Sequence, residues 1–308
     1  MSQAATTQAV VSTVRLDSIR GAIVSLRTYQ WSKNLLLFAG VVFSGNLTSA
    51  AALNSSVGAF MLFCLASSAI YLFNDIRDFE SDRHHPRKRH RPIAAGMLSR
   101  KTAAGLALGL AMPALAFAAR LGTRFFCSLL AYVLLNLCYS LGLKNVVILD
   151  VFSIGLGFVL RAVAGAYAVG VAPSDWLILC TLSAALLIGF GKRRHEAGLL
   201  QQDAAQHRAT LQEYTLPFAN AMVTMLAGVV IVTYCIYAVS QHPGSVPGSA
   251  GMVFTTPMVF YGVLRYLYLA MKADQGGDPA QLLVSDLPSL LNCVAWAVTV
   301  CAAIYAGR

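Results

Sequence analysis

The sequence predicts an all-α integral membrane protein with about nine transmembrane helices. Composition is the first reason: 57% of the 308 residues are hydrophobic, 12% are charged, and mean hydropathy is +0.64. Soluble domains carry roughly twice that share of charge. Segment length is the second reason. Apolar runs near twenty residues recur along the whole chain, each long enough to cross ~30 Å of hydrocarbon. A membrane β-barrel shows short segments of alternating polarity instead, and the sequence does not read that way.

The first thirty residues lack the compact apolar core and cleavage site of a secretory signal, so residues 1–33 are expected as a cytoplasmic N-terminal segment. Apolar spans follow at about 34–50, 54–74, 102–119, 123–142, 146–169, 175–191, 216–239, 253–271 and 287–306. The first is interrupted by Gly45 and Asn46 and is the least continuous. With the N-terminus inside, segments 75–101, 143–145 and 192–215 share its side. The uncharged Gly, Ser and Pro-rich stretch 240–251 is a connector on the other.

By that placement 19 of the 23 Lys and Arg lie on or near the cytoplasmic face. Arg120, Arg124 and Arg308 lie outside, and Arg161 falls within the fifth span. The asymmetry agrees with the positive-inside rule. Residues 1–308 thus read as one polytopic domain of a bacterial-type cytoplasmic (inner) membrane. Two charged loops, 75–101 and 192–215, cap its cytoplasmic face, and the active site is expected there.

The net charge of +10 reads as orientation and affinity for anionic lipid or phosphate-bearing substrates rather than for nucleic acid. The seven cysteines lie mostly within apolar runs, form no CxxC pair, and read as small apolar residues with no metal or disulfide role.

Chemistry concentrates in NDIRDFESDRHHPRKRHRPIAAG, residues 74–96. Asp75, Asp78 and Asp82 are spaced i, i+3, i+7, which places them within about 60° of one another on a helix. Asn74 borders that arc and Glu80 points away. A stripe of hard oxygen ligands at a membrane helix end suits Mg²⁺, which keeps waters and is completed by substrate phosphates. A solvated helix end whose acids balance nearby arginines is the plainer reading. Three carboxylates in register so near the bilayer are costly, and this favours function. Arg83, Arg87, Lys88, Arg89 and Arg91 exceed what counter-ions require. Part of the excess is orientation signal, and the rest suits phosphate oxygens.

The pattern N-D-x-x-D-x-x-x-D-R-x-H-P-x-K-x-x-R-P-I-A-x-G resembles the first aspartate-rich motif of the UbiA superfamily of intramembrane prenyltransferases. It is filled by Asn74, Asp75, Asp78, Asp82, Arg83, His85, Pro86, Lys88, Arg91, Pro92, Ile93, Ala94 and Gly96. The resemblance implies nine helices around a central cavity and a Mg²⁺-bound diphosphate donor. It also implies a second motif of DxxxD type after the sixth span. GFGKRRHEAG (189–198) stands there instead, with Lys192, Arg193 and Arg194 in place of acids and Glu196 nearby; Asp203 lies outside any such spacing.

That departure is similar to the decaprenyl-phosphate phosphoribosyltransferase branch of the superfamily. So are QWSKN (30–34), YSLGLKNVVILDVFSIGLGFVLRAVAG (139–165), SDW (174–176), GKRRHE (191–196), HRATLQEYT (207–215) and RYLYL (265–269). The resemblance implies transfer of 5-phosphoribose from phosphoribosyl pyrophosphate to a polyprenyl phosphate. One Mg²⁺–aspartate site would serve the diphosphate, held by Asp75, Asp78 and Asp82 with Asn74 assisting, and a basic patch would serve the 5-phosphate. Lys192, Arg193 and Arg194 are candidates for that patch, and anchoring at the membrane face accounts for each of them equally. Lys192 and Glu196 also have the i, i+4 spacing of a helical ion pair.

Further candidates for substrate contact are Lys33, Arg83, Lys88, Arg91 and Lys144. Asp150 and Arg161 are eleven residues apart and share a helical face. They are expected to line the cavity, with Asp150 near its cytoplasmic mouth beside Lys144. A structural role with another polar partner is the alternative. Arg265 and Tyr266 either bind substrate or snorkel to the interface. Gly155, Gly157 and Gly165 are expected at close helix contacts.

The nucleophile, a phosphate oxygen, is already ionised at neutral pH, so no strong base is required. A prenyltransferase moving a prenyl group from a prenyl diphosphate to an aromatic or lipid acceptor is the second reading. A transporter of anionic solutes is the third, though it leaves three aspartates in register unexplained. The sequence leaves a homo-oligomer open.

Overall fold

The structure is a computed structural model and describes residues 18–86, 88–200, 213–240, 249–272 and 285–305. Arg87, Asp203, Arg308, most of HRATLQEYT and most of the 240–251 connector lie outside the described residues, as does the start of the N-terminal segment.

Among the described residues the regular elements are helical. They are α1 (Ala39–Phe43), α2 (Ala50–Arg77), α3 (Phe79–His84), α4 (Arg100–Ala118), α5 (Thr123–Leu141), α6 (Leu149–Ala168), α7 (Asp175–Leu200), α8 (Leu216–Val239), α9 (Thr256–Lys272) and α10 (Leu287–Tyr305). Local sequence sets several starts. Ser49, Ser99 and Thr215 cap α2, α4 and α8, each side chain accepting a backbone N–H three residues on. Such a cap contributes about 1 kcal/mol. The first charged loop closes at Gly96, whose φ of +79° suits a residue without Cβ.

Eight of these helices, with short extensions, are long and apolar enough to cross a membrane. The first expected span differs. It runs as a 3₁₀ helix, Thr28–Phe38, continued by α1. The steeper rise of a 3₁₀ helix gives this segment a length of about 30 Å, enough for a ninth crossing. The segment packs closely against its neighbours. A Cβ on Gly40 would collide with the backbone at Gly165 of α6, and one on Gly165 with the carbonyl of Leu37. Trp31 Nε1 donates to Ser68 Oγ at 3.1 Å, and Asn34 Nδ2 to Ser67 Oγ at 3.3 Å, tying the segment antiparallel along α2.

The sixth span also departs from expectation. Helix α7 continues through Leu200, so Lys192, Arg193, Arg194 and Glu196 sit on a helix end rather than in a loop.

Leu37, Phe63, Phe125 and Tyr132 centre one buried cluster between the first segment and α2, α4, α5 and α6. Phe190, Tyr214, Val223 and Tyr266 centre another between α7, α8 and α9. Apolar side chains such as Leu108, Met112 and Phe254 are exposed, as lipid-facing positions require. A cavity of about 1160 Å³ lies between the first segment, α7, α8 and α10. Lys33 and Ser32 line part of it, and Phe43, Tyr237 and Trp296 are among its apolar wall.

Candidate active site

Antiparallel packing brings the ends of α2, α5, α7 and α9 and the starts of α6 and α8 to one face of the bundle. Two polar clusters form there.

The first is built from the aspartates. Backbone bonds from Asp78 N to Asn74 O (2.9 Å) and from Asp82 N to Asp78 O (2.8 Å) carry the helical register through the junction of α2 and α3. The expected stripe is bent rather than straight, because Asp78 has ψ near 7° and is the shared cap of both helices. Asp75 and Asp82 are each 2% exposed. Arg91 Nη1 lies 3.1 Å from Asp75 Oδ1 and 2.7 Å from Asp82 Oδ2, so one nitrogen gathers both carboxylates. Arg27 Nη2 reaches Asp75 Oδ1 at 2.5 Å. Lys144 Nζ reaches Asp78 Oδ1 at 2.5 Å, and Ser140 donates to Asn74 Oδ1. With these carboxylates turned to cationic side chains, no three of His, Cys, Asp and Glu form a ready metal cage among the described residues. The donor set remains one of hard oxygens converging on positive charge.

The second cluster joins α6, α7 and the start of α8. Asp150, 1% exposed, forms an ion pair with Arg193, Oδ2 to Nε at 2.8 Å, and accepts Tyr214 Oη at 2.6 Å on Oδ1. Burial and the adjoining Asp150 carboxylate push the Tyr214 phenol well above its ordinary range, so it stays a proton donor. Arg193 also pairs with Glu196. Glu196 therefore bonds its i−3 neighbour rather than Lys192, which is exposed. Arg194 is held by Asn220 Oδ1, at 2.6 Å, and by the carbonyl of Ala270.

The remaining candidates lie apart. Lys33 lines the large cavity. Arg83 is exposed and stacks over Phe79 at 5.5 Å, and Lys88 is half-buried in the loop beyond it. Arg265 makes a forked pair with Asp286 at 3.0 and 2.8 Å.

Arg161 does not line the large cavity. It is 5% exposed and donates to Asn34 Oδ1 (2.7 Å), Gly157 O (2.9 Å) and Tyr132 Oη (2.7 Å). Asp150 likewise faces protein rather than that cavity. Sequence reasoning did not single out Arg27, Asn34, Tyr132, Ser140 or Tyr214. Each is an ordinary polar residue whose partner is far along the chain. Asn34, Ser140 and Tyr214 do fall within the stretches on which the resemblance rests.

A model of the UbiA prenyltransferase family matches residues 34–277. The chain belongs to the UbiA prenyltransferase family. It is a multi-pass membrane protein and a transferase. Among curated UbiA relatives, decaprenyl-phosphate phosphoribosyltransferase of Corynebacterium glutamicum is 34% identical, covering 92% of this chain and 87% of its own. The protein of that name from Mycolicibacterium smegmatis is 34% identical over 93% of each. That from Mycobacterium tuberculosis is 31% identical over 97% of this chain and 99% of its own. The UbiA fold is seen directly in a UbiA homolog from Archaeoglobus fulgidus bound to GPP and Mg²⁺. It superposes with a TM-score of 0.71 at 17% identity, covering 92% of this chain and 99% of that one.

Proposed function

We propose that this enzyme transfers 5-phosphoribose from phosphoribosyl pyrophosphate to a polyprenyl phosphate, releasing pyrophosphate, on the cytoplasmic side of a bacterial-type inner membrane. The observation that carries the reading is the second cluster. Where a second aspartate pair would serve a prenyl diphosphate, Arg193 stands bound to Asp150 and Glu196, between Lys192 and Arg194. A donor with phosphate at both ends of its sugar needs a cation-bearing site besides the diphosphate site. Three relatives named decaprenyl-phosphate phosphoribosyltransferase support the same reading.

The first cluster suits the diphosphate. Asp75, Asp78, Asp82 and Asn74 offer the hard oxygens that Mg²⁺ takes, and two of these carboxylates already share one cationic nitrogen. These four residues would hold the ion, with the donor's phosphate oxygens completing its shell. Bound there, Mg²⁺ supplies positive charge against the departing pyrophosphate. Arg27, Arg91 and Lys144 exchange carboxylate contacts for phosphate oxygens, and Arg83 and Lys88 border the same loop. Arg193 and its neighbours take the 5-phosphate. The polyprenyl chain occupies the apolar cavity with its phosphate toward Lys33. A phosphate oxygen of the acceptor bonds to the anomeric carbon as the bond from that carbon to pyrophosphate breaks.

The test offers purified protein labelled phosphoribosyl pyrophosphate with polyprenyl phosphate. In parallel it offers a prenyl diphosphate with 4-hydroxybenzoate. Label is expected in the lipid of the first reaction. Transfer in the second reaction alone overturns the reading.

A further inference from the structure

The turn between α5 and α6 touches both polar clusters. At one end Lys144 pairs with Asp78. At the other, Ile148 has φ 72° and ψ −48°, and Leu149 N donates to Val147 O at 2.8 Å. This is a γ-turn with its central residue at positive φ, a rare and strained form. A β-branched residue is a poor occupant of it, and glycine would be a natural one.

What holds Ile148 there comes from the second cluster. Its backbone N–H donates to Tyr214 Oη at 2.8 Å, while Tyr214 Oη donates to Asp150 Oδ1 at 2.6 Å. Asp150 in turn forms an ion pair with Arg193 through its other oxygen. The Tyr214 ring is 2% exposed and fixed among Phe190 and Phe218, with ring centroids 6.1 Å from each. The hydroxyl is thus delivered by a rigid ring to the one strained peptide of the turn.

We propose that Tyr214 is a positioning residue: its hydroxyl holds the strained turn at Ile148, and through that turn sets Lys144 against Asp78 in the aspartate cluster. Tyr214 and Ile148, sixty-six residues apart in the chain, thereby tie the second cluster to the turn that carries Lys144 of the first. The consequence for catalysis rests on the proposed function. The contact chain itself holds for any diphosphate donor.

The test uses the full chain in lipid nanodiscs. Labelling of Lys144 by an amine-reactive reagent is followed by peptide mass spectrometry. Tyr214→Phe is expected to speed labelling about tenfold, the worth of one buried hydrogen bond. Adding Ile148→Gly is expected to return the rate toward wild type, because glycine adopts that φ without the strain that the Tyr214 bond offsets. Equal labelling of wild type and Tyr214→Phe overturns the proposal. So does faster labelling that Ile148→Gly fails to reverse, which marks general loosening.

In parallel, Tyr214→Phe is expected to raise the KM for phosphoribosyl pyrophosphate about tenfold and leave the KM for polyprenyl phosphate unchanged. An equal rise in both overturns the positioning role. Wild type that fails to use phosphoribosyl pyrophosphate overturns the functional reading instead, and the labelling comparison still decides the role of Tyr214.

Discussion

Arg27 Nη2 lies 2.5 Å from Asp75 Oδ1, although forty-eight residues separate them. The N-terminal segment therefore closes over the aspartate end of α2, and its guanidinium also stacks on Tyr71 at 5.1 Å. Asp75 is buried and would be costly to ionise without such partners. Arg27→Ala is expected to cost about 1.5–3 kcal/mol of stability, the range for a hydrogen bond to a charged group. Arg27→Lys should recover part of it. Thermal unfolding in detergent checks this, and an unchanged midpoint for Arg27→Ala shows that the pair carries no stability.

Asp75→Ala and Asp78→Ala are expected to lower pyrophosphate release about a hundredfold or more while the protein stays folded. Chelation with EDTA should stop release in the wild type, and added Mg²⁺ should restore it. Wild-type activity in both variants refutes the assignment of these aspartates to the metal.

Arg161 gives three hydrogen bonds in three directions from one planar group. A lysine cannot reproduce that fork. Arg161→Lys and Arg161→Met are both expected to destabilise by about 3 kcal/mol, since Asn34 and Tyr132 lose a buried partner. Denaturant or thermal unfolding of the two variants measures it. Full stability of the lysine variant would show that charge, not geometry, is what the site requires.

Asp286 caps α10, accepting Ser289 N at 3.0 Å, while Arg265 grips the same carboxylate. Arg265 first, then Ser289, holds this carboxyl well below the usual carboxylate range. A depressed value in the folded state means that the contribution is present above the unfolded value and is lost as pH falls through the folded one. The difference in thermal midpoint between wild type and Asp286→Asn should therefore stay constant from pH 7 to mildly acid pH. A difference that vanishes at mildly acid pH contradicts the assignment.

The sequence by itself determined the eight long apolar crossings found among the described residues, because a span is written in a local quantity, the apolar length needed to replace water contacts with lipid. It also determined the aspartate stripe, because helical spacing is local: Asp75 and Asp82 remain together despite the bend at Asp78. Hydropathy could not tell that α7 runs on through Leu200, since charged residues read as loop. Those charges stay helical because Arg193 and Arg194 find partners on α6, α8 and α9. Nor could it tell that the first segment begins as a 3₁₀ helix, Thr28–Phe38, whose Leu37 carbonyl lies directly against Gly165.

Tertiary structure alone decided which cation serves which carboxylate. Arg27 and Lys144 go to the aspartates and Arg193 to Asp150. Arg161 goes to Asn34 and Tyr132, with Asn34 127 residues away. Charge type is legible in one dimension. The pairing of charges depends on which helix ends meet, and that is fixed by packing across the whole bundle.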